Sequence, residues 1–174
     1  DRLEEWCAKD YDYVGAPWFK GYGASKKNAK MFKYAGNGGF SLRKISTFIE
    51  ILSDAENSDT KMKTFIDIYT KEGNTNIFNV FRLPKAINNY FSENNKLKVA
   101  LKSGKDCEDN IIANKLRRIY PHLRIAKATD AKFFAFEALP KRLFIECGNK
   151  LPFGCHAFKK YDWDFWKDYI KIQY

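Results

Sequence analysis

An adjacent acidic pair, Glu108-Asp109, a late histidine, His156, and a glycine-rich run, Gly36-Asn37-Gly38-Gly39-Phe40-Ser41-Leu42-Arg43, are the places where residue type and spacing could do chemistry. A carboxylate at a helix start can take a proton as a general base. Neighbours on a helix diverge by about 100°, so only one of Glu108 and Asp109 faces a given substrate atom. Acids in Asp106-Cys107-Glu108-Asp109-Asn110 also suit capping and the helix dipole, the simpler reading of that stretch taken alone. His156 follows a Pro and Gly turn, where an imidazole can ligate a metal, meet a diphosphate, or be a hydrogen-bonded structural residue. In the glycine run the backbone is free to adopt positive φ and to approach a ligand closely. Such a turn can aim N–H groups at an anion or a sugar oxygen, or serve hairpin geometry alone. Neither G-x-x-x-x-G-K-[ST] nor G-x-G-x-x-G is present, so triphosphatase and dinucleotide chemistry have no motif behind them.

The elements that must position these residues follow from periodicity. Residues 1–9 predict a short helix, capped by Asp1, with Leu3, Trp6 and Cys7 on one side. Residues 11–18 predict a strand that ends at Pro17, with Trp18 and Phe19 in a loop. Gly21 to Lys33 reads as a mobile basic loop, carrying Lys20, Lys26, Lys27, Lys30 and Lys33 in or beside it. Phe40 and Leu42 alternate as in a half-buried strand, and Ile45, Phe48, Ile49 and Leu52 then mark a core-facing helix stripe. Met62, Phe65, Ile66 and Tyr69 repeat that spacing, ending near Gly73; a short helix is expected from Pro84 and a brief strand over 96–102. A helix carries Ile111, Ile112, Leu116 and Ile119 inward. Strands are expected at 133–137, 143–146 and 151–158, before a closing helix capped by Asp162 with Trp166, Tyr169 and Ile170 inward. The order of elements predicts a mixed α/β fold.

At 174 residues the chain is long enough for one domain with a real core, and 45% apolar with 17% aromatic residues exclude a disordered chain. A net charge of +10 favours an anionic partner: a nucleotide-sugar diphosphate, a phospholipid surface or nucleic acid. Cys7, Cys107, Cys147 and Cys155 form no C-x-x-C pair, which argues against structural zinc. They read most simply as free thiols of an intracellular protein, although an even count permits disulfides. No apolar run reaches the roughly 18 to 20 residues that cross a bilayer, and the charged residues Asp1-Arg2-Leu3-Glu4-Glu5 are not expected to form a signal peptide. Membrane contact is expected to be peripheral at most.

Residues 11–18, 36–43, Cys107-Glu108-Asp109 and Pro152-Phe153-Gly154-Cys155-His156-Ala157 together resemble a family of bacterial GT-A-like glycosyltransferases. Much of that family is known only as a domain of unknown function, with members in surface-polysaccharide and lipopolysaccharide gene clusters. The resemblance covers nearly the whole chain and implies a Rossmann-like mixed sheet flanked by helices. It further implies sugar transfer from a nucleotide diphosphate to a glycan or lipid-linked hydroxyl, with a divalent metal, Mn or Mg, bridging the diphosphate. Under it, one of Glu108 and Asp109 is the base near the acceptor, and Asn37, Gly38, Gly39 and Arg43 belong to the sugar-facing stretch. Trp18 is a platform for donor or acceptor, and His156 is the late metal or diphosphate contact. The resemblance also implies that residues 1–174 are one domain, the C-terminal acceptor-side portion of a cytoplasmic enzyme. In such enzymes a D-x-D metal motif comes earlier in the chain, before the segment that Asp1 to Trp18 resembles. Asp10-Tyr11-Asp12 and Asp162-Trp163-Asp164 have that spacing here, as strand motif and helix cap respectively.

The competing class is a non-catalytic, basic, aromatic-rich module that binds glycan or nucleic acid by stacking and lysine contacts. No RNP, KH or helix-turn-helix signature is present, so nucleic acid is not the expected partner. A glycoside hydrolase ranks last. It needs two carboxylates about 5 to 9.5 Å apart, which adjacent residues cannot supply, and Glu137 would have to partner one of them.

Overall fold

The first helix, α1 (Arg2–Ala8), starts where the sequence supplies its cap: the Asp1 carboxylate accepts from the N–H groups of Leu3 and Glu4, and Glu4 answers back. Trp6 is its buried residue, while Leu3 and Cys7 face outward. The structure, a computed structural model, describes residues 1–24, 26–57, 83–84, 87–88 and 107–171. The expected helix over 62–69, most of the one at Pro84 and the strand over 96–102 lie outside them. Two compact units emerge, Asp1–Lys44 with Arg124–Tyr174, and Ile45–Leu123.

In the first unit, β1 (Tyr13–Phe19) pairs antiparallel with β2 (Met31–Arg43). β1 runs through Pro17 and Trp18, contrary to the expected stop. Pro17 sits at a register shift, where a proline breaks no regular ladder, and Phe19 continues into the core. β2 is nearly twice as long as its partner, so it bulges, and the largest bulge lies in the glycine run. Gly15 pairs with Ser41 but the next residue, Ala16, pairs with Asn37, which puts Gly38, Gly39 and Phe40 out of register. The glycine run is therefore strand rather than turn; the positive-φ glycines among the described residues are Gly21 and Gly148. The neck of the basic loop is closed by Lys20 N–H to the Lys30 carbonyl at 2.9 Å, and Arg142 donates to the Ala29 carbonyl at 2.6 Å.

The segment after Arg124 lies parallel along β1 through a bridge between Tyr13 and Ile125, and helix α4 (Ala128–Phe134) packs on the sheet. β3 (Ala135–Phe136) and β4 (Gly154–Cys155) pair in parallel. Between them, residues expected as strand form helix α5 (Pro140–Glu146). Pro140 opens it, Leu143 turns inward and Arg142 meets Glu146 one turn later at 2.7 Å, all helix signals that outweigh a short apolar run. The closing helix α6 (Trp163–Trp166) buries Phe165 and Trp166 but leaves Tyr169 exposed. Asp162 does not cap it: its backbone is left-handed and its carboxylate meets Lys141 at 3.1 Å. Two aromatic cores result, Trp6 with Val14 and Phe134, and Phe19 with Phe136 and Trp166.

In the second unit, α2 (Ile45–Asn57) buries Ile51, half-buries Phe48 and leaves Ile45, Ile49 and Leu52 exposed, so of the expected stripe only Phe48 turns inward. The inward face is shifted by about one residue step, 100°, from the expected one, and on it the Tyr120 hydroxyl donates to the Asp54 carboxylate at 2.5 Å. Helix α3 is continuous over Glu108–Asn110, Ile111–Leu116 and Arg117–Ile119, and its middle is a π turn. There the Arg117 N–H reaches back to Ile112, and the carbonyl of Ala113 that it skips is taken by Arg117 Nε at 3.3 Å. Ile111, Ile112 and Leu116 are buried as expected. The whole is a mixed α/β fold.

Candidate functional site

In the first unit, the bulge in β2 is a set of close approaches. A Cβ on Gly15 would strike the carbonyl of Asn37, one on Gly36 would enter the Trp18 indole, and one on Gly39 would enter the His156 imidazole. These glycines are small because something lies against them, not because the chain turns there. Asn37 is buried and its side-chain oxygen accepts the Gly39 N–H at 2.9 Å, so the Gly39 N–H is already used. Ser41 Oγ donates to the Gly38 carbonyl at 3.2 Å, closing the bulge, and Arg43 Nε donates to Ser41 Oγ at 3.1 Å while its guanidinium covers Tyr13. The Tyr13 hydroxyl, fully buried, donates to the Gly36 carbonyl at 3.0 Å. Arg43 therefore holds the bulge from behind.

His156 follows β4 as Glu137 follows β3. Because the two strands are parallel and paired Ala135 to Gly154 and Phe136 to Cys155, the next residues come side by side. The His156 N–H donates to the Phe136 carbonyl at 3.0 Å, and Nδ1 of the ring lies 3.5 Å from Glu137 Oε1. Nδ1 is buried, while the side chain as a whole is 39% exposed, so the open part of the ring is its other edge. Cys155, next in chain, has its thiol pKa raised by burial, which keeps it protonated.

Glu137 also lines a cavity of about 170 Å³ with Trp18, Tyr22, Asn37 and Tyr161. At about 30 Å³ per water this has room for five or six waters, roughly one sugar ring. Trp18 is held edge-to-face by Tyr22 at 5.6 Å, and Tyr22 lies 5.7 Å from Phe32, making an aromatic path that leads out to exposed residues. Trp18, Asn37, Gly38, Gly39 and His156 thus come together, with Arg43 behind them. Sequence reasoning placed Glu137 only as a partner in a hydrolase and missed Tyr161; the parallel register that would have found Glu137 joins two-residue strands.

In the second unit, Glu108 is exposed and Asp109 half-buried in the first turn of α3. Cys107 occupies the capping position without a side-chain bond, and the Asp109 carboxylate takes the Asn110 N–H at 2.7 Å. An open groove of about 880 Å³ runs beside α2, with Asp54, Tyr120 and His122 in its wall. Burial and the Asp54 bond push the Tyr120 hydroxyl far above the ordinary tyrosine pKa.

Neither D-x-D pair is arranged for a metal. Asp10 meets Lys44 at 2.7 Å and Arg124 at 2.6 Å, which hold its carboxyl below the usual range, and buried Asp12 accepts the Arg124 N–H at 2.8 Å. Asp162 meets Lys141, and Asp164 meets Lys167 at 2.9 Å. Among the described residues no three His, Cys, Asp or Glu side chains gather into a metal site. Of the residues that the resemblance assigns to a metal, His156 offers a single imidazole nitrogen, and a Mn²⁺ or Mg²⁺ ion there would need its remaining ligands from elsewhere. All four cysteines are free thiols, and among the described residues no helix is long and apolar enough to cross a membrane.

Comparison with known proteins adds a family. The model of a family described as a protein of unknown function, DUF5672, matches residues 1–156. No curated protein and no solved structure matches the chain.

Proposed function

The chain belongs to the DUF5672 family, and on that premise we propose that it is a GT-A-like glycosyltransferase, moving a sugar from a nucleotide diphosphate to a hydroxyl of a glycan or lipid-linked acceptor. The observation that carries this reading is the ring-sized cavity in which Trp18 and Tyr161 meet the polar groups of Asn37 and Glu137, with His156 beside Glu137. An aromatic face with a few convergent polar groups suits a sugar, whose ring has an apolar side and a hydroxyl rim.

In this reading Trp18 takes the apolar side of the ring, and Glu137 and the Asn37 amide take hydroxyls. As the acceptor oxygen bonds to the anomeric carbon, its proton passes to a general base, the role that the motif resemblance alone gives to one of Glu108 and Asp109. The bond from that carbon to the diphosphate oxygen breaks, and the nucleoside diphosphate leaves. Such a base is worth roughly 10² to 10⁴ in rate. His156 would hold a divalent metal, whose charge would offset that of the departing diphosphate. The net charge of +10 helps hold the donor or an anionic membrane surface on the cytoplasmic side.

Calorimetric titration with UDP, GDP, CMP and their sugars, with and without Mn²⁺, tests it. Metal-dependent binding of a nucleotide sugar, weakened by His156→Ala and by Trp18→Ala, is the expected result. Salt-dependent binding of oligonucleotides or glycans, with no response to any nucleotide sugar, would replace it with the non-catalytic aromatic module.

A further inference from the structure

Glu137 does more than line the cavity. Its side chain is only 12% exposed, and its Oε1 faces the buried Nδ1 of His156 at 3.5 Å. That nitrogen has no hydrogen-bond partner formed, and 3.5 Å is longer than a made bond, so a small shift of the Glu137 carboxylate toward the fixed ring closes the pair. A buried nitrogen needs a partner, and its state here is decided by sign. A deprotonated Nδ1 would turn a lone pair toward a carboxylate, which is repulsive; a protonated Nδ1 gives that carboxylate a donor. The imidazole plane is set independently, because one ring face lies on the Cα of Gly39 with no room for even a methyl group between them. The backbone pins it further, through the His156 N–H bond to the Phe136 carbonyl at 3.0 Å.

We propose that Glu137 is a positioning residue: it holds His156 in the Nδ1–H tautomer, so that Nε2, on the open edge, carries the lone pair that the site presents. A carboxylate behind a histidine orients the ring and fixes which nitrogen carries the proton, the usual outer partner of a metal-ligating imidazole. Use of that lone pair by a divalent cation rests on the glycosyl-transfer reading. The tautomer does not.

The test uses the whole ¹⁵N-labelled chain and long-range ¹H–¹⁵N correlation of its two imidazoles, with His122, exposed, as internal reference. With both rings neutral, His156 is expected to show Nδ1 protonated and Nε2 bare, while His122 shows the Nε2–H form that free imidazoles favour. Glu137→Ala should move His156 to the His122 pattern. Glu137→Gln, whose side-chain oxygen still accepts, should keep the wild-type pattern. An Nε2–H His156 in the wild-type chain overturns the proposal without any variant, and so does an unchanged tautomer in a folded Glu137→Ala. Added Mn²⁺ alone should broaden the His156 ring signals and not those of His122, with Glu137→Ala needing about 10- to 100-fold more metal for the same effect. An intact Nδ1–H tautomer with no Mn²⁺ broadening would leave Glu137 in its role and overturn the metal-holding part of the proposed function instead.

Discussion

Replacing Gly39 by alanine puts a methyl group where the His156 ring is, and the consequence can be worked out. The added Cβ would overlap three atoms of the imidazole, Cε1, Nε2 and Nδ1, so the overlap is with the ring face and not with a flexible tip. The ring cannot simply retreat, since its backbone N–H is bonded to Phe136 and its Nδ1 edge is buried against Glu137. Gly39 in turn is tied to Asn37 through its own N–H. Forced overpacking of this kind costs about 1–3 kcal/mol, a visible fraction of the roughly 5–15 kcal/mol that stabilises a domain. Urea denaturation of Gly39→Ala should show that loss. The decisive comparison is a double-mutant cycle: with His156→Ala as background the ring is gone, and Gly39→Ala should then cost less than about 0.5 kcal/mol. The coupling energy would be the overlap itself. Equal cost in both backgrounds would refute the claim that this glycine is required by the histidine, and would return it to a role in backbone conformation.

Other outcomes follow from the same geometry. Tyr13→Phe leaves the Gly36 carbonyl without its buried donor and should cost about 1–2 kcal/mol in chemical denaturation, loosening the bulge that carries Asn37. Gly36→Ala should push the Trp18 indole from its seat, read as altered tryptophan emission and weaker nucleotide-sugar binding. Above pH 10 the unfolded chain loses tyrosine protons that Tyr120 and, less strongly, Tyr11 keep in the fold, so stability should fall as pH rises, by at most about 1.4 kcal/mol per unit per tyrosine. Tyr120→Phe should flatten that alkaline slope; an unchanged slope would refute its part. At the acid end Asp10, held ionised by Lys44 and Arg124, contributes stability above its unfolded pKa that is lost as pH falls, and Asp10→Asn should remove that acid-side component.

What the sequence made legible here was decided by how local each cause is. The Asp1-x-x-Glu4 box predicts α1 because both partners lie within one turn, and the burial of Ile111, Ile112 and Leu116 follows from spacing on a single helix. Of the stripe Ile45, Phe48, Ile49 and Leu52 only Phe48 turns inward, because which side of an amphipathic helix is buried depends on partners far along the chain, such as Tyr120 on Asp54, 66 positions apart. The glycine run was visible, but its reason was not. Glycine permits both positive φ and close approach, and only the distant partners, Trp18 for Gly36 and His156 for Gly39, select the second. The same logic hid Glu137. Its pairing with His156 comes from a parallel register of two residues per strand, too short to leave any period in the sequence. A site built this way concentrates its specification in contacts between segments, which is why its residue types could be named from the sequence while its acid-to-imidazole contact could not. It also means that the site should be disturbed by small changes at Gly36, Gly39 and Gly154, whose added methyl groups would strike Trp18, His156 and Phe40, far more than by changes in the exposed lysines around it.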